Sequence, residues 1–361
     1  MRFSKGIRVL LLGPLPPAKP SRSNPVGGAA VNFAEMVRSL RDRDFEVSVV
    51  DTSRPRINLT PWIALRNNII TVFRVFRQTA SQLNHAEVVL LNISAGATWT
   101  LGAFMWLLCA LAGRPLALRI FGGDLALRYQ RCRAILRWWA DRTYMRSDVV
   151  YVQTRRQQRY FSARDNFRWH ANTRDLPAAP SKPRTTLSRL LFMSQIRWEK
   201  GFRETLEACR ELPRSWVLSI YGPVMPGVDL RVLEDHPIAR YCGAVNPGDV
   251  PEIIRQHDLL LLPTYWESEG YPGIILEAMQ CGRPVIATRW AGIPEVVEEE
   301  HSGLLVEPRS AASLRAAILR VMHNPELYKR LCEGARARGE FFRSRHWYDR
   351  MAVDLSSLAG E

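Results

Sequence analysis

Two glutamates, Glu269 and Glu277, are the residues of this chain best suited to chemistry, and Pro272-Gly273 lies between them. Proline can open a helix, so we expect Glu269 in a loop and Glu277 about one turn inside the helix that follows. The unpaired N–H groups at the start of that helix form a natural anion site. Because carboxylates accept hydrogen bonds from hydroxyls and repel phosphate, the pattern indicates a phosphorylated ligand that carries hydroxyls. A nucleotide-sugar fits this description.

A basic segment in the same half of the chain contains Gln195, Arg197 and Lys200, and Gly201 follows directly. The apolar run before it, Leu190–Ser194, predicts a strand. A cation at the C-terminal end of a strand can bind a diphosphate and neutralise the charge that develops as the bond to a sugar breaks. Alone, the segment is more typical of a solvated basic loop. Its combination with the two glutamates favours a functional interpretation.

A glycine pair, Gly27-Gly28, precedes a predicted helix near Val31–Leu40. Paired glycines at a helix start allow a ligand to approach the backbone, and the helix start favours an anion. The pair is also common in simple turns. The G-x-G-x-x-G signature of dinucleotide-binding enzymes is absent here, which argues against a nicotinamide oxidoreductase.

Apolar runs alternate with helical patterns throughout the 361-residue chain. The runs in the first half are Ile7–Gly13, Glu46–Asp51, Val88–Ile93, Ala117–Phe121 and Val149–Gln153. Those in the second half are Leu190–Ser194, Val217–Tyr221, Ala239–Val245, Leu259–Pro263, Val285–Thr288 and Leu304–Val306. Such runs are typical of parallel sheets covered on both faces. We therefore predict an α/β protein with two Rossmann-like doubly wound domains that face each other across a cleft.

The proline-rich stretch 172–189 predicts the domain boundary. We place an N-terminal domain at residues 1–175 and a C-terminal domain at 185–340, followed by a final helix within 341–361. Residues 53–68 and 153–175 are expected to form variable loops.

One uncharged segment, Trp99–Ala112, is about 14 residues long. A helix that spans a membrane needs ~20 residues. We therefore expect a buried core helix here, with an interfacial helix as the alternative because the segment holds two tryptophans.

Positive charge is concentrated in the first half of the chain. Residues 1–180 hold 27 basic and 11 acidic residues, a net of +16, whereas residues 181–361 hold 23 and 24, a net of −1. This excess indicates attraction to an anionic membrane surface or a lipid acceptor, or simply a soluble basic domain. Nucleic acid is not expected, since no arginine-rich recognition motif is present.

The six scattered cysteines lack the spacing of metal sites and favour reduced thiols. The short apolar run that follows the N-terminus predicts a first strand rather than a signal peptide. We expect no metal, no cofactor and a cytoplasmic protein that can bind peripherally to the membrane.

These motifs resemble those of the retaining GT-B glycosyltransferases of family 4, the glycosyltransferase group 1 type, which includes bacterial enzymes for lipopolysaccharide and capsule sugars. The resemblance rests on Glu269-x7-Glu277, followed by Gly282-Arg-Pro-Val-Ile-Ala, Gly292-Ile-Pro-Glu and Ser302-Gly-Leu-Leu-Val. It is strong over most of the second half. In the first half it rests on Gly27-Gly28 and the helix and strand that follow.

The resemblance implies a nucleotide-diphosphate sugar donor, such as a UDP-sugar, in the C-terminal domain and an acceptor over the N-terminal one. Glu277 would bind the ribose hydroxyls and Glu269 the donor sugar. The donor-site residues would also include Lys200 on the diphosphate, the N–H groups of Gly273, Ile274 and Ile275 on the distal phosphate, and Gly27 and Gly28 opposite. The last helix would pack back on the N-terminal domain.

The resemblance also implies a mechanism that needs no metal and no protein nucleophile, in which the leaving phosphate accepts the acceptor's proton on the same face. The chain departs from the family pattern at two positions. An arginine is replaced by Gln195, for which Arg197 is a candidate substitute, and the His-Gly-x-Asp turn reads Phe121-Gly-Gly-Asp124. Asp124 is a candidate sugar contact or acceptor base, and a helix-capping role remains open.

We therefore expect a retaining glycosyltransferase that moves a sugar from a nucleotide-diphosphate sugar to a lipid-linked or polysaccharide acceptor in bacterial cell-surface glycan synthesis. A glycosidase is a second interpretation, since paired carboxylates serve there too. A catalytically silent GT-B subunit that binds or regulates a partner transferase is the alternative that Gln195 and Phe121 leave open.

Overall fold

The computed structural model describes residues 6–17, 27–53, 61–177 and 187–360. These form two compact units, which we call the first domain (Met1–Asn172 with Ser344–Glu361) and the second domain (Thr173–Arg343). The boundary falls before residue 175 because Arg174 N–H donates to Phe342 O at 3.1 Å, and both residues belong to the second domain. The second domain accordingly extends past the predicted end at residue 340. Half of the proline-rich boundary stretch 172–189, residues 178–186, lies outside the described residues.

The first domain is built on one parallel sheet with the strand order β2-β1-β3-β4-β5-β6. Its strands are β1 (Arg8–Gly13), β2 (Glu46–Asp51), β3 (Val88–Ser94), β4 (Leu116–Phe121), β5 (Val149–Val152) and β6 (Phe167–Trp169). Its helices are α1 (Gly28–Arg41), α2 (Pro61–Gln82), α3 (Ala103–Leu111), α4 (Leu125–Arg131), α5 (Ala134–Arg142), α6 (Arg155–Tyr160) and, at the other end of the chain, α12 (Ser344–Leu358).

The second domain is also built on a parallel sheet, with the order β12-β11-β10-β7-β8-β9. Its strands are β7 (Arg189–Met193), β8 (Val217–Tyr221), β9 (Ala239–Gly243), β10 (Leu259–Leu262), β11 (Val285–Thr288) and β12 (Gly303–Val306). Its helices are α7 (Phe202–Cys209), α8 (Val250–Arg255), α9 (Gly273–Gln280), α10 (Ala311–Met322) and α11 (Pro325–Phe341).

The prediction of two doubly wound parallel α/β domains is confirmed, and each predicted apolar run forms a strand. The runs form strands because their side chains are buried on both faces of a sheet, as the fully buried residues of β10 illustrate. The sequence prediction missed β6, which has only three residues and lies inside the expected loop 153–175. It also missed α2, which begins at Pro61 inside the expected loop 53–68.

The sheet of the first domain has a helix layer on each face. On one face, the core joins alternate residues of β1 to Phe33 of α1 and Tyr348 of α12. On the other face, the opposite residues of β1 pack with Val75 of α2, Met105 of α3 and Ala140 of α5. This alternation is the two-residue period of a strand, and it places α2, α3 and α5 in one layer.

The segment Trp99–Ala112 is neither a fully buried helix nor a single one. A short π-helical turn, Thr98–Gly102, leads into α3. Ala103, Met105 and Cys109 are buried, whereas Phe104 and Leu111 are exposed. No helix among the described residues is both long and apolar enough to cross a membrane.

Candidate active site

The candidate site lies where the strand order of the second domain reverses, between β7 and β10. In doubly wound sheets, ligands bind outside the carboxyl ends of the strands at such a point, because the loops on either side diverge and leave a crevice. The segment after β7 contains Gln195, Arg197 and Lys200, and the segment after β10 contains Glu269. Topology thus brings two of the sequence motifs to one edge of the sheet.

Lys200 and Glu269 form an ion pair at this edge. Lys200 Nζ donates to Glu269 Oε2 at 2.5 Å, and both side chains are largely buried. The hydroxyl of Thr264 donates to the same carboxylate oxygen at 2.9 Å. A lysine ammonium has three N–H donors, so the bond to Glu269 uses only part of its capacity. Lys200 can therefore bind an anion, while Thr264 keeps the carboxylate hydrogen-bonded.

A glycine explains how Lys200 is placed. Gly201 has a left-handed backbone (φ 77°), and a Cβ there would lie 2.2 Å from Pro263 O. Only glycine combines that conformation with so close an approach. On the other side of Lys200, Glu199 O accepts a hydrogen bond from Tyr265 N–H at 2.8 Å and lies 3.2 Å from the Thr264 hydroxyl oxygen. These contacts fix the segment after β7 against the segment after β10.

The other two polar residues after β7, Gln195 and Arg197, differ in their surroundings. Gln195 is exposed. Arg197 Nε lies 3.3 Å from Glu199 Oε2, and its guanidinium lies 4.1 Å from the centroid of the Trp266 ring. Arg197 is thus part of the same loop cluster as Lys200.

Glu277 lies on α9, which begins at Gly273 with Pro272 as its N-cap residue. We expected Pro272 to open the helix, and it lies one position before the first helical residue. Within the first turn, Ile275 N–H donates to Pro272 O at 3.1 Å, so it is already engaged. The start of α9 has no side-chain cap among the described residues.

Glu277 is paired with Arg174, a residue that sequence reasoning missed. Arg174 Nε donates to Glu277 Oε1 at 2.5 Å, and both side chains are mostly buried. A Cβ at Gly273 would lie 2.0 Å from an Arg174 guanidinium nitrogen, so the guanidinium rests against the first residue of α9. Arg174 therefore links the carboxylate to the helix start, and glycine at 273 leaves room for this contact.

The loop between Glu269 and α9 is held by buried aromatic contacts. The Tyr271 hydroxyl donates to Glu295 Oε2 at 2.5 Å, and its ring lies 5.8 Å from that of Phe342. Arg338 Nη2 donates to Glu295 O at 2.6 Å. Glu295 belongs to the Gly-Ile-Pro-Glu motif, which here supports the loop.

Two titratable groups, one on α7 and one in the segment after β10, have shifted pKa values. Burial raises the pKa of the Glu204 carboxyl on α7. Burial, followed by the negative charge of Glu204, raises the pKa of the Tyr265 hydroxyl. Each shift disfavours the ionised form of its group.

The remaining predicted site residues lie in the first domain. Gly27 is the N-cap residue of α1, and a Cβ on Gly27 or Gly28 would meet no described atom within 4 Å. Asp124 precedes α4 without a side-chain cap bond, which argues against the capping role. Instead, its buried carboxylate accepts from Arg128 Nε at 2.6 Å. Within the described ranges, no three His, Cys, Asp or Glu side chains cluster as metal ligands would.

The fold is that of known two-domain GT-B proteins. A sucrose-phosphate synthase from Thermosynechococcus elongatus superposes with a TM-score of 0.75 at 16% identity, over 98% of both chains. HepE of Anabaena, solved with UDP and glucose, superposes with a TM-score of 0.72 at 17% identity, over 97% of this chain and all of that one. At this level of identity the likeness defines the fold class alone.

Sequence comparison narrows the class for the second domain. Residues 188–324 match the family of glycosyl transferases group 1. The chain is 29% identical over 155 residues to the α-D-kanosaminyltransferase of Streptomyces kanamyceticus, covering 40% of this chain and 39% of that enzyme. It is 31% identical over 155 residues to a putative colanic acid biosynthesis glycosyltransferase of Escherichia coli, covering 39% and 37%. The matches thus span about two fifths of these relatives, and the matched family segment contains Lys200, Glu269 and Glu277.

Proposed function

We propose that this protein is a retaining, metal-independent glycosyltransferase that moves a sugar from a nucleotide-diphosphate sugar to a lipid-linked or polysaccharide acceptor in bacterial cell-surface glycan synthesis. The observation that carries the proposal is the buried Lys200–Glu269 pair at the point where the strand order reverses. The group 1 match over the same segment supports glycosyl transfer, and a relative named for colanic acid synthesis supports a surface glycan.

The diphosphate is assigned to Lys200. Its ammonium is held at the carboxyl edge of the sheet by a single carboxylate, and the donor's negative charge would compete for it. As the bond between the sugar and the diphosphate breaks, negative charge grows on the leaving oxygen, and a fixed cation stabilises that charge. Glu269, which still accepts the hydrogen bond from Thr264, would then also accept one from a sugar hydroxyl.

The nucleoside is assigned to Glu277. One of its oxygens is bonded to Arg174, and a carboxylate has two oxygens with which to accept, so the ribose hydroxyls could share this group. Arg174 acts here as a positioning residue that fixes the carboxylate rotamer. The N–H groups of Gly273 and Ile274 at the start of α9 would face the distal phosphate.

A direct test is thermal unfolding of the full chain with a panel of nucleoside diphosphates. A diphosphate at a hundredfold excess over its dissociation constant should stabilise the protein by ~2.7 kcal/mol. Glu277→Ala should weaken binding about tenfold or more, because a hydrogen bond to a charged group contributes ~1.5–3 kcal/mol. Arg174→Gln should weaken it less, since the carboxylate remains but is no longer held. Glu333→Ala on the exposed side of α11 is the control and should bind as the wild type does.

A turnover assay separates transfer from binding alone. Release of nucleoside diphosphate from a nucleotide-sugar, unchanged by a metal chelator, is expected. Binding of the diphosphate without release from any donor would favour the silent subunit. A diphosphate shift that Glu277→Ala leaves intact would refute the ribose assignment.

A further inference from the structure

Helix α2 is apolar on two opposite sides. Thr71, Val75 and Thr79 are buried against the sheet. The opposite side presents large apolar side chains at spacings of seven, four and three residues, which place them in one row along the helix. They are Trp62 (81% exposed), Ile69 (62%), Phe73 (69%) and Phe76 (41%). The outward side of a surface helix is normally polar, so this row indicates a binding surface.

Helices α3 and α5 continue the surface. Both pack in the same layer as α2, on one face of the first sheet. Near the ends of α2 and α3, Arg114 Nη2 donates to Asn84 O at 3.2 Å, and Trp139 Nε1 of α5 donates to Trp99 O, just before α3, at 3.4 Å. Their outward apolar side chains are Phe104 (50% exposed), Leu111 (88%), Ile135 (66%) and Trp138 (52%). We call the outward sides of α2, α3 and α5 the apolar-basic layer.

The charge of this layer is one-sided. Residues 61–142, from the start of α2 to the end of α5, contain ten arginines, of which Arg119 is buried, and three acidic residues. Each acid is already paired, Glu87 with Arg8, Asp124 with Arg128 and Asp141 with Arg164. The α2 segment has three arginines and no acid. On α5, the Arg142 guanidinium lies 5.4 Å from the centroid of the exposed Trp138 ring.

We propose that the apolar-basic layer binds the surface of an anionic lipid bilayer. Exposed tryptophan and phenylalanine would enter the interfacial region, and the arginines beside them would meet lipid phosphates. The charge favours lipid over a second copy of the chain, because a twofold contact would oppose arginine-rich faces of the same sign. The contact is peripheral, since α2 holds three arginines and cannot span the apolar core. This binding is independent of glycosyl transfer.

The test is co-sedimentation of the full chain with vesicles. Binding should be strong to phosphatidylcholine vesicles that contain phosphatidylglycerol, weak to phosphatidylcholine alone, and reduced by high salt. The double variant Trp62→Ser, Phe73→Ser should lower the partition coefficient about a hundredfold or more, because each buried large apolar side chain contributes ~1.5–3 kcal/mol. The double variant Arg66→Gln, Arg77→Gln should lower the partition coefficient on anionic vesicles only.

The matched control is Val353→Ser on α12. Val353 is 48% exposed and lies on the helix layer that covers the opposite face of the first sheet. The Val353→Ser variant should bind vesicles as the wild type does. The two double variants on α2 should bind nucleoside diphosphate normally. Equal loss in Val353→Ser, or no binding to anionic vesicles at low salt, overturns the proposal. A dimer in light scattering that Phe73→Ser dissociates, without vesicle binding, would instead make the layer a self-interface.

Discussion

The two domains share one architecture but differ in where their unusual residues lie. Each has a six-stranded parallel sheet with helices on its faces. In the second domain, the unusual groups are two buried ion pairs, Lys200 with Glu269 and Arg174 with Glu277 of α9. In the first domain, they are exposed apolar and basic side chains on the outside of a helix layer.

This difference separates two uses of a doubly wound fold. The carboxyl edge can hold a small charged ligand, because the loops diverge where the strand order reverses and leave a crevice beside a few buried polar groups. The outer side of the helices is broad and has no such crevice, so it suits an extended partner. The net charges of +16 and −1 for the two halves of the chain agree with this division.

Lys200→Ala, in the second domain, should have the largest effect of the variants considered, on the rate of glycosyl transfer and not on vesicle binding. In the proposed function Lys200 stabilises the leaving diphosphate, so its removal should lower the rate of transfer about 10²–10³-fold, or ~3–4 kcal/mol. Thr264 still bonds Glu269, so the variant should fold. The measurement is nucleoside diphosphate release under saturating donor, with vesicle binding recorded in parallel.

Lys329→Ala, at an exposed position of α11, is the matched control and should keep full activity. Vesicle binding should be the same in both variants, because Lys200 belongs to the other domain. Normal transfer by Lys200→Ala would remove Lys200 from the diphosphate site.

Gly201→Ala should destabilise the second domain by about 3 kcal/mol, since it combines a left-handed backbone with a contact between Cβ and a carbonyl oxygen. Gly227→Ala offers a direct comparison. Gly227 also has a positive φ (88°), but a Cβ there would meet no described atom within 4 Å. Gly227→Ala should therefore lower the free energy of unfolding by only ~1–2 kcal/mol. Urea unfolding of the two variants measures the difference.

That difference isolates the close packing of Gly201 on Pro263, which sets the position of Lys200. Equal losses of stability would mean that the segment after β10 moves without resistance. In that event, the structure would not fix Lys200 next to Glu269.

Much of the fold could be predicted from the sequence because buried parallel strands leave continuous apolar runs. The strand Glu46–Asp51 was predicted with its observed ends, as were Val217–Tyr221 and Val285–Thr288. The strand Phe167–Trp169 was missed because three residues with a central arginine form no such run. Helix α2 was missed for a different reason: its outward apolar row hides the usual contrast between a polar and an apolar side.

The candidate site could be predicted only as separate segments. The spacing around Pro272 indicated the start of α9, and Lys200-Gly201 indicated a cation after a strand. That Lys200 meets Glu269, 69 positions away, depends on the adjacency of β7 and β10, which no local pattern records. Arg174 was missed because it lay in the expected linker. The signal was an arginine at the edge of the proline-rich stretch that predicted the domain boundary.

His170 gives the smallest expected effect and tests the interior of the first domain. Its ring is buried among aromatic side chains, 5.5 Å from Tyr151 and 5.3 Å from Tyr348 between ring centroids. Burial, and then the positive charge of Arg119, lower the pKa of His170 well below its ordinary value. The folded domain therefore holds the neutral ring, whereas the unfolded chain takes up a proton below about pH 6.5. Stability contributed by this residue is present above that pH and is lost as the pH falls.

Between pH 7.5 and pH 5, protonation of His170 in the unfolded chain alone should lower the free energy of unfolding of the first domain by up to ~2 kcal/mol. His170→Gln should reduce this pH dependence, even if it lowers stability at both pH values. His323→Gln, at an exposed position after α10, should leave it unchanged. Denaturant unfolding at the two pH values measures each difference. An unchanged pH dependence in His170→Gln would mean that the ring also takes up its proton in the folded domain. The layer between β5 and α12 would then accommodate a buried charge, as the carboxyl edge of the second domain does with its ion pairs.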